Sequence, residues 1–256
     1  MPIQLDRTEI KSEARSLIRT GTVSPIRMTL LLLVINLVLS LVNSGVSYMV
    51  GESFRLASIP FSFISILVSL VSLVLNAGYT CYCLGIHRRD QMPYESLFDA
   101  FSFAGKVILL SIVEGVFIFL WSLLFVIPGI VAAYHYSFAI MNLCRDPDLG
   151  VMEALNLSKQ QTFGYKWQLF LLQFSFIGWY LLAGAITALY ELLIVSLLPD
   201  NFLGIMFGTA IFTMLSAVVE VYLTPYTNLA ICGFYLRAAA PQGNKPPHFD
   251  FQNGSF

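Results

Sequence analysis

Apolar residues run through this chain in long blocks that carry almost no charge. Positions 28–50, 56–86 and 167–190, all uncharged, each exceed the roughly 18 to 20 residues that cross a hydrocarbon core about 30 Å thick. None shows the alternation over about ten residues expected of a membrane barrel strand. The pattern predicts an all-α fold: a polytopic membrane helical bundle of six transmembrane helices at 28–50, 61–86, 107–126, 129–144, 167–198 and 202–236. Residues 1–240 read as a single integral membrane domain with an N-terminal amphipathic helix at 4–20, and 241–256 as a flexible cytoplasmic tail.

Two inter-span segments repeat one plan. LGIHRRDQMPYESLFDAFSFAGKVILL and LCRDPDLGVMEALNLSKQQTFGYKWQLFLL both pass through an Arg-Asp turn, a short helical stretch, then Gly and Lys into the next span. In the first, Tyr94, Leu97, Phe98 and Phe101 recur at i, i+3, i+4, i+7, the spacing of one face of an α-helix. In the second, Val151, Ala154, Leu155 and Ser158 do so more weakly, with Asp148 as an N-cap and Gly164 as a stop. Both are expected to be short cytoplasmic amphipathic helices that lie in the membrane interface or pack under the spans.

Composition agrees with this picture. Of 256 residues, 57% are hydrophobic and 11% charged, against roughly 25% charged in a soluble domain. Thirteen of the fourteen Lys and Arg residues fall before span 1, after spans 2, 4 and 6, or at the bases of spans 3 and 5; Arg55 lies opposite. Cytoplasmic loops collect such residues, so both termini are expected in the cytoplasm. A first apolar run of 23 residues is too long for a signal-peptide core of about 7 to 15. A net charge of −1 gives no reason to expect nucleic acid. The four cysteines lie near cytoplasmic span ends and read as reduced thiols, with no zinc spacing. Pro128, where span 3 must turn into span 4, suits a first helical position, whereas Pro225 is expected to kink the last span.

The segments FLWSLLFVIPGIVAAYHYSFAIMNL, EALNLSKQQTFGYKWQLFLLQFSFIGWYLL and PYTNLAICGFY, with IKSEARSLI near the start, resemble a bacterial multi-span family known as domain of unknown function nine-seven-five. The chain is also distantly similar to the membrane domain fused to some glycerophosphodiester phosphodiesterases. The resemblance implies a bacterial cytoplasmic-membrane protein and assigns no activity, cofactor or site. Residues 181–221 depart from the family pattern by a longer connection.

Candidate chemistry is sparse. Glu114, Glu191 and Glu220 sit inside predicted spans, where a carboxylate costs at least about 2.5 kcal/mol on insertion scales and marks either a pathway or a partner. Glu191 reads as reaching the outer interface; Glu114 and Glu220 lie deeper. His135 is either a proton-relay partner for a glutamate or a hydrogen-bonded packing element, and Gln173 either a ligand or interhelical glue. Sequence motifs of hydrolases, zinc enzymes and phosphate loops are absent, so no catalytic residue, metal or cofactor is expected. Arg7, Lys11, Arg15 and Arg19 recur every fourth residue beside Ile10, Ala14, Leu17 and Ile18. That ridge either enforces orientation or contacts lipid headgroups.

Two polar stripes complete the pattern: Asn36, Ser40, Ser44 and Ser47 in span 1, and Ser62, Ser65, Ser69, Ser72 and Asn76 in span 2. Small polar residues let membrane helices approach and bond across, at about 0.6 kcal/mol each, so the stripes are expected to be a helix-packing seam. The sequence thus favours a non-enzymatic membrane protein that meets lipids or a membrane or cytoplasmic protein partner. The alternative is a small-molecule or lipid transporter whose cavity holds Glu114 and Glu220.

Overall fold

The structure is a computed structural model that describes residues 6–18, 23–52, 58–193 and 202–239. These form α1 (Arg7–Leu17), α2 (Pro25–Glu52), α3 (Ser58–His87), a 3-10 helix (Tyr94–Phe103), α4 (Ala104–Leu124) and α5 (Val126–Tyr136). They continue as α6 (Ala139–Arg145), α7 (Val151–Gln161), α8 (Lys166–Phe174), α9 (Ile177–Leu193) and α10 (Phe202–Ala239). Among the described residues the chain is all helical, as the apolar blocks require. Five segments are long and apolar enough to cross a membrane, and α8 with α9, bent by 40°, makes a sixth when counted as one span.

Two of the expected spans are broken. The fourth is α5 followed by α6, separated at Ser137 and Phe138. A break strands backbone groups that an unbroken helix would pair. Here Ser158 of α7 serves both sides: its hydroxyl donates to the His135 carbonyl at 2.8 Å and accepts the Phe138 amide at 3.1 Å. The fifth, expected without interruption from 167 to 198, bends between Phe174 and Ile177, where i+3 bonds such as Phe176 N–H to the Gln173 carbonyl at 2.9 Å replace the α pattern. Its residues 194–198 lie outside the described set. Tight turns obey local chemistry. Gly129 lets α5 fold back on α4, since a Cβ there would sit 2.0 Å from the Ser122 hydroxyl. Gly164 adopts φ 85° after α7, as its stop role anticipates.

The first repeated segment departs from its expected face. It is a 3-10 helix with about three residues per turn, so Leu97 and Ala100 share the buried side while Tyr94, Phe98 and Phe101 are exposed. Its backbone touches α3: a Cβ on Gly78 would lie 1.9 Å from the Leu97 carbonyl oxygen. The second segment, α7, buries Ala154, Leu155 and Ser158. Gly150, not Asp148, holds its N-cap position, while Asp146 Oδ1 accepts the Asp148 amide at 3.0 Å.

A second correction concerns sulfur. Cys81 of α3 and Cys144 of α6 are joined in a disulfide, while Cys83 and Cys232 are buried free thiols. Pairing across 63 residues depends on which helices meet, information the spacing does not hold. Chain-entropy arguments give such a loop about 4 kcal/mol of stabilisation.

The core lies at one end of the bundle. Met28 and Leu32 of α2, Leu75 to Ile86 of α3, Phe138 and Met141 of α6, and Leu229 to Ala238 of α10 enclose Tyr79, Tyr82 and Tyr235. Their hydroxyls are satisfied: Tyr79 with Thr29 at 2.7 Å, Tyr82 to the Val23 carbonyl at 2.7 Å, Tyr235 to Asn142 Oδ1 at 2.9 Å. At the other end the helices turn large apolar side chains outward, among them Val38, Phe63, Leu123, Leu181 and Leu203.

Candidate functional site

The first helix begins where Asp6 Oδ1 accepts the Thr8 amide at 2.8 Å, an N-cap that fixes its start. That amide holds the Asp6 carboxylate below its usual range. Ile10 and Ala14 are buried, and the helix lies along α10. Its acidic flank is tied down: Arg237 Nη2 meets Glu9 at 3.0 Å and Glu13 at 2.9 Å. His87 of α3 stands beside Glu13 at 3.8 Å, its Nε2 donating to the Leu229 carbonyl at 2.7 Å.

The basic flank is left for something else. Arg7, Lys11 and Arg15 line one wall of a groove of about 1080 Å³ whose other walls include Phe176 and Trp179 at the α8–α9 bend and Tyr222 and Tyr226 of α10. Cα atoms from Arg7 to Arg15 span about 12 Å at 1.5 Å per residue, a ridge rather than a point. Three cations face one carboxylate, Asp6, among the lining residues. Lys11 Nζ stands 5.0 Å from the centroid of the Phe176 ring, within cation–π range, and Phe176 packs edge-on against Tyr226 at 5.2 Å. Partial burial, then the neighbouring Arg7, lowers the Lys11 pKa from its ordinary value. The groove offers fixed positive charge at one rim and aromatic and aliphatic surface along its length. Arg19 lies outside the described residues.

The intramembrane candidates are scattered. Glu114 is half-buried on α4, on the side of Tyr136, and Glu220 half-buried on α10, next to the groove residue Val219. Neither lines the groove or the smaller cavity near Cys81. α4 packs chiefly on α5, and α10 on α2, α1 and α3. His135 meets the Lys166 ammonium at Nε2, not a glutamate. Gln173 is half-buried on α8. The side chain of Glu191 lies outside the described set.

Three residues of the polar stripes bond along their own helices. Asn36 Nδ2 donates to the Leu32 carbonyl at 3.0 Å, Ser69 to Ser65 at 2.9 Å and Asn76 to Ser72 at 2.7 Å. Asn36, Ser40, Ser44, Ser65 and Ser72 are half-buried and Ser69 and Asn76 exposed; the side chains of Ser47 and Ser62 are outside the described set. A polar bond that does join α2 to α3 is Thr29 with Tyr79. Sequence reasoning missed Phe176, Trp179, Tyr222 and Tyr226 as groove residues. Tyr222 and Tyr226 stand four apart on α10, the spacing of one helix face, but nothing in the sequence ties them to α1.

Among the described residues no group of three or more His, Cys, Asp or Glu is arranged to hold a metal ion. A family model described as protein of unknown function (DUF975) matches the chain over residues 1–133 and 123–241. No curated protein and no solved structure matches it.

Proposed function

Since the chain belongs to that family of unknown function, which brings no activity to inherit, we propose a role from its own surface: a non-catalytic membrane protein that holds an anionic lipid in the groove beneath its first helix. The supporting observation is the joining of Arg7, Lys11 and Arg15 to Phe176, Trp179 and Tyr222 around one space of about 1080 Å³. A lipid phosphate satisfies the cations while its acyl chain covers the aromatic wall. At about 1 kcal/mol per basic residue near a membrane surface, three cations favour an anionic over a zwitterionic headgroup by roughly 100-fold.

The same face is the cytoplasmic one in this proposal. Arg88 lies near Arg145, Lys106 Nζ donates to the Pro147 carbonyl at 2.5 Å, and Arg237 meets α1, so basic residues from separate loops converge beside the buried core. Such convergence is what the positive-inside rule describes.

The test is tryptophan quenching in reconstituted membranes. Brominated phosphatidylglycerol, titrated into phosphatidylcholine bilayers, is expected to quench Trp179 more strongly than brominated phosphatidylcholine does at equal mole fraction. Trp121→Phe and Trp167→Phe isolate the signal. Replacing Arg7, Lys11 and Arg15 together by Gln is expected to equalise the two lipids. Equal quenching in the unmodified groove overturns the proposal.

A further inference from the structure

A second cavity, of about 430 Å³, lies on α3, α6 and the 3-10 helix, and its wall includes both sulfurs' residues, Cys81 and Cys144. Arg88, Asp90 and Asp99 also line it, so it opens at the aqueous end of the bundle; charged side chains at such a mouth do not belong in hydrocarbon. The remaining cysteines, Cys83 and Cys232, are wholly buried in the core. The disulfide is therefore the sulfur chemistry that a small molecule reaches from water, and its space is within the size range of small-ligand pockets.

We infer that Cys81–Cys144 is a thiol-exchange site, reduced by small aminothiols that enter this cavity. Exchange requires a thiolate to approach one sulfur while the other leaves. Cys81 is half-buried and Cys144 8% exposed, so the incoming thiolate attacks Cys81 Sγ. A mixed disulfide forms there, the Cys81–Cys144 bond breaks, and the Cys144 thiolate departs into the cavity that Arg88 lines before taking a proton from water. A second aminothiol thiolate attacks the small-molecule sulfur of the mixed disulfide, releasing the oxidised aminothiol and the Cys81 thiolate. Two small thiols thereby lose two electrons and two protons to the protein disulfide. The ammonium group accounts for the selectivity: Asp90 and Asp99 outnumber Arg88 around the cavity, which attracts a cationic thiol and repels an anionic one.

The experiment uses the full chain in native membranes. Cysteamine or 2-mercaptoethanesulfonate is added at matched thiolate concentration, the reaction is stopped with acid, and iodoacetamide labelling of denatured protein is read peptide by peptide. Cys81 and Cys144 are expected to remain unlabelled before reduction and to appear together after it. Cysteamine is expected to act about fivefold faster than the sulfonate, a margin set by screened surface charges. Asp99→Asn narrows that ratio, and the exposed Asp90→Asn does the same if the first variant fails to accumulate. In Cys144→Ser, cysteamine disulfide treatment leaves a trapped adduct on Cys81. Labelling of both cysteines without reductant overturns the inference, as does reduction that occurs only after denaturation, or equal rates for the two thiols.

Discussion

Arg237, near the end of the last helix, and Glu13, on the first, lie 2.9 Å apart, so the two extremes of the described chain are held together at one face of the bundle. Glu9 shares the same guanidinium at 3.0 Å. The clamp sits on the flank of α1 opposed to its groove-lining cations, so a change there tests position without touching the groove. Its members are partly exposed, and screened pairs of this kind contribute about 1 kcal/mol. Arg237→Ala is expected to raise amide exchange across Arg7–Leu17 about fivefold and to weaken anionic-lipid preference in step. Unchanged exchange in α1 would sink the idea that the clamp seats it.

Gly78 is expected to tolerate no side chain. The Leu97 carbonyl occupies the place a methyl would take, and that contact is backbone, which cannot rotate away. Gly78→Ala should destabilise the detergent-solubilised protein by about 1–3 kcal/mol through forced separation of α3 from the 3-10 helix. Thermal unfolding followed by circular dichroism measures it, with Gly105→Ala, which has open space around it, as the harmless comparison.

Asn142 and Tyr235 make a buried pair at 2.9 Å, and Asn142 Nδ2 also donates to the Ala154 carbonyl at 3.3 Å. Removing the phenol hydroxyl leaves the amide oxygen without its donor in a closed core. Tyr235→Phe is expected to cost about 1–3 kcal/mol, although it deletes one atom. The double change Tyr235→Phe with Asn142→Leu should recover part of that loss, and a denaturation series on the four proteins of the cycle reads the coupling.

The cap on α1 predicts a pH dependence. Asp6 has a folded-state pKa below its ordinary value, so its contribution is present above the unfolded carboxylate range and is lost as pH falls through the lowered pKa. Exchange of α1 amides should therefore rise on acidification below about pH 4. Asn caps a helix as well as Asp and does not titrate, so Asp6→Asn should flatten this step at its end of the helix. A step that survives the substitution unchanged would show that the cap is not its source.

Much of the architecture was legible because hydrocarbon imposes simple requirements on sequence. Runs such as 61–86 have one stable solution in a membrane, and Gly164 marks a real turn. The interruptions at Ser137–Phe138 and Ser175–Phe176 were not legible, since an apolar helix and a broken apolar helix share a composition. What permits the first break is Ser158, from a helix 20 residues away. The cations of the candidate site were visible at 7, 11 and 15, yet their aromatic wall was not. It is assembled from the α8–α9 bend and α10, and no periodicity links those segments to α1. The stripe at Ser65, Ser69 and Asn76 shows the reverse difficulty. Its period is clear, but Ser69 and Asn76 bond to carbonyls of their own helix, a local choice open to Ser and Asn.

The concentration of buried side chains at one end leaves Phe63, Leu123, Leu181 and Leu203 of the opposite end facing outward on separate helices. In a bilayer those faces are solvated by acyl chains, and the spaces between them are as much a part of the folded molecule as its tyrosine core. Stripping lipid should therefore loosen this protein unevenly. The splayed leaflet would lose order first, while the disulfide-stapled base keeps its shape, and a purification that preserves the native annulus would retain a better-ordered molecule than one that replaces it.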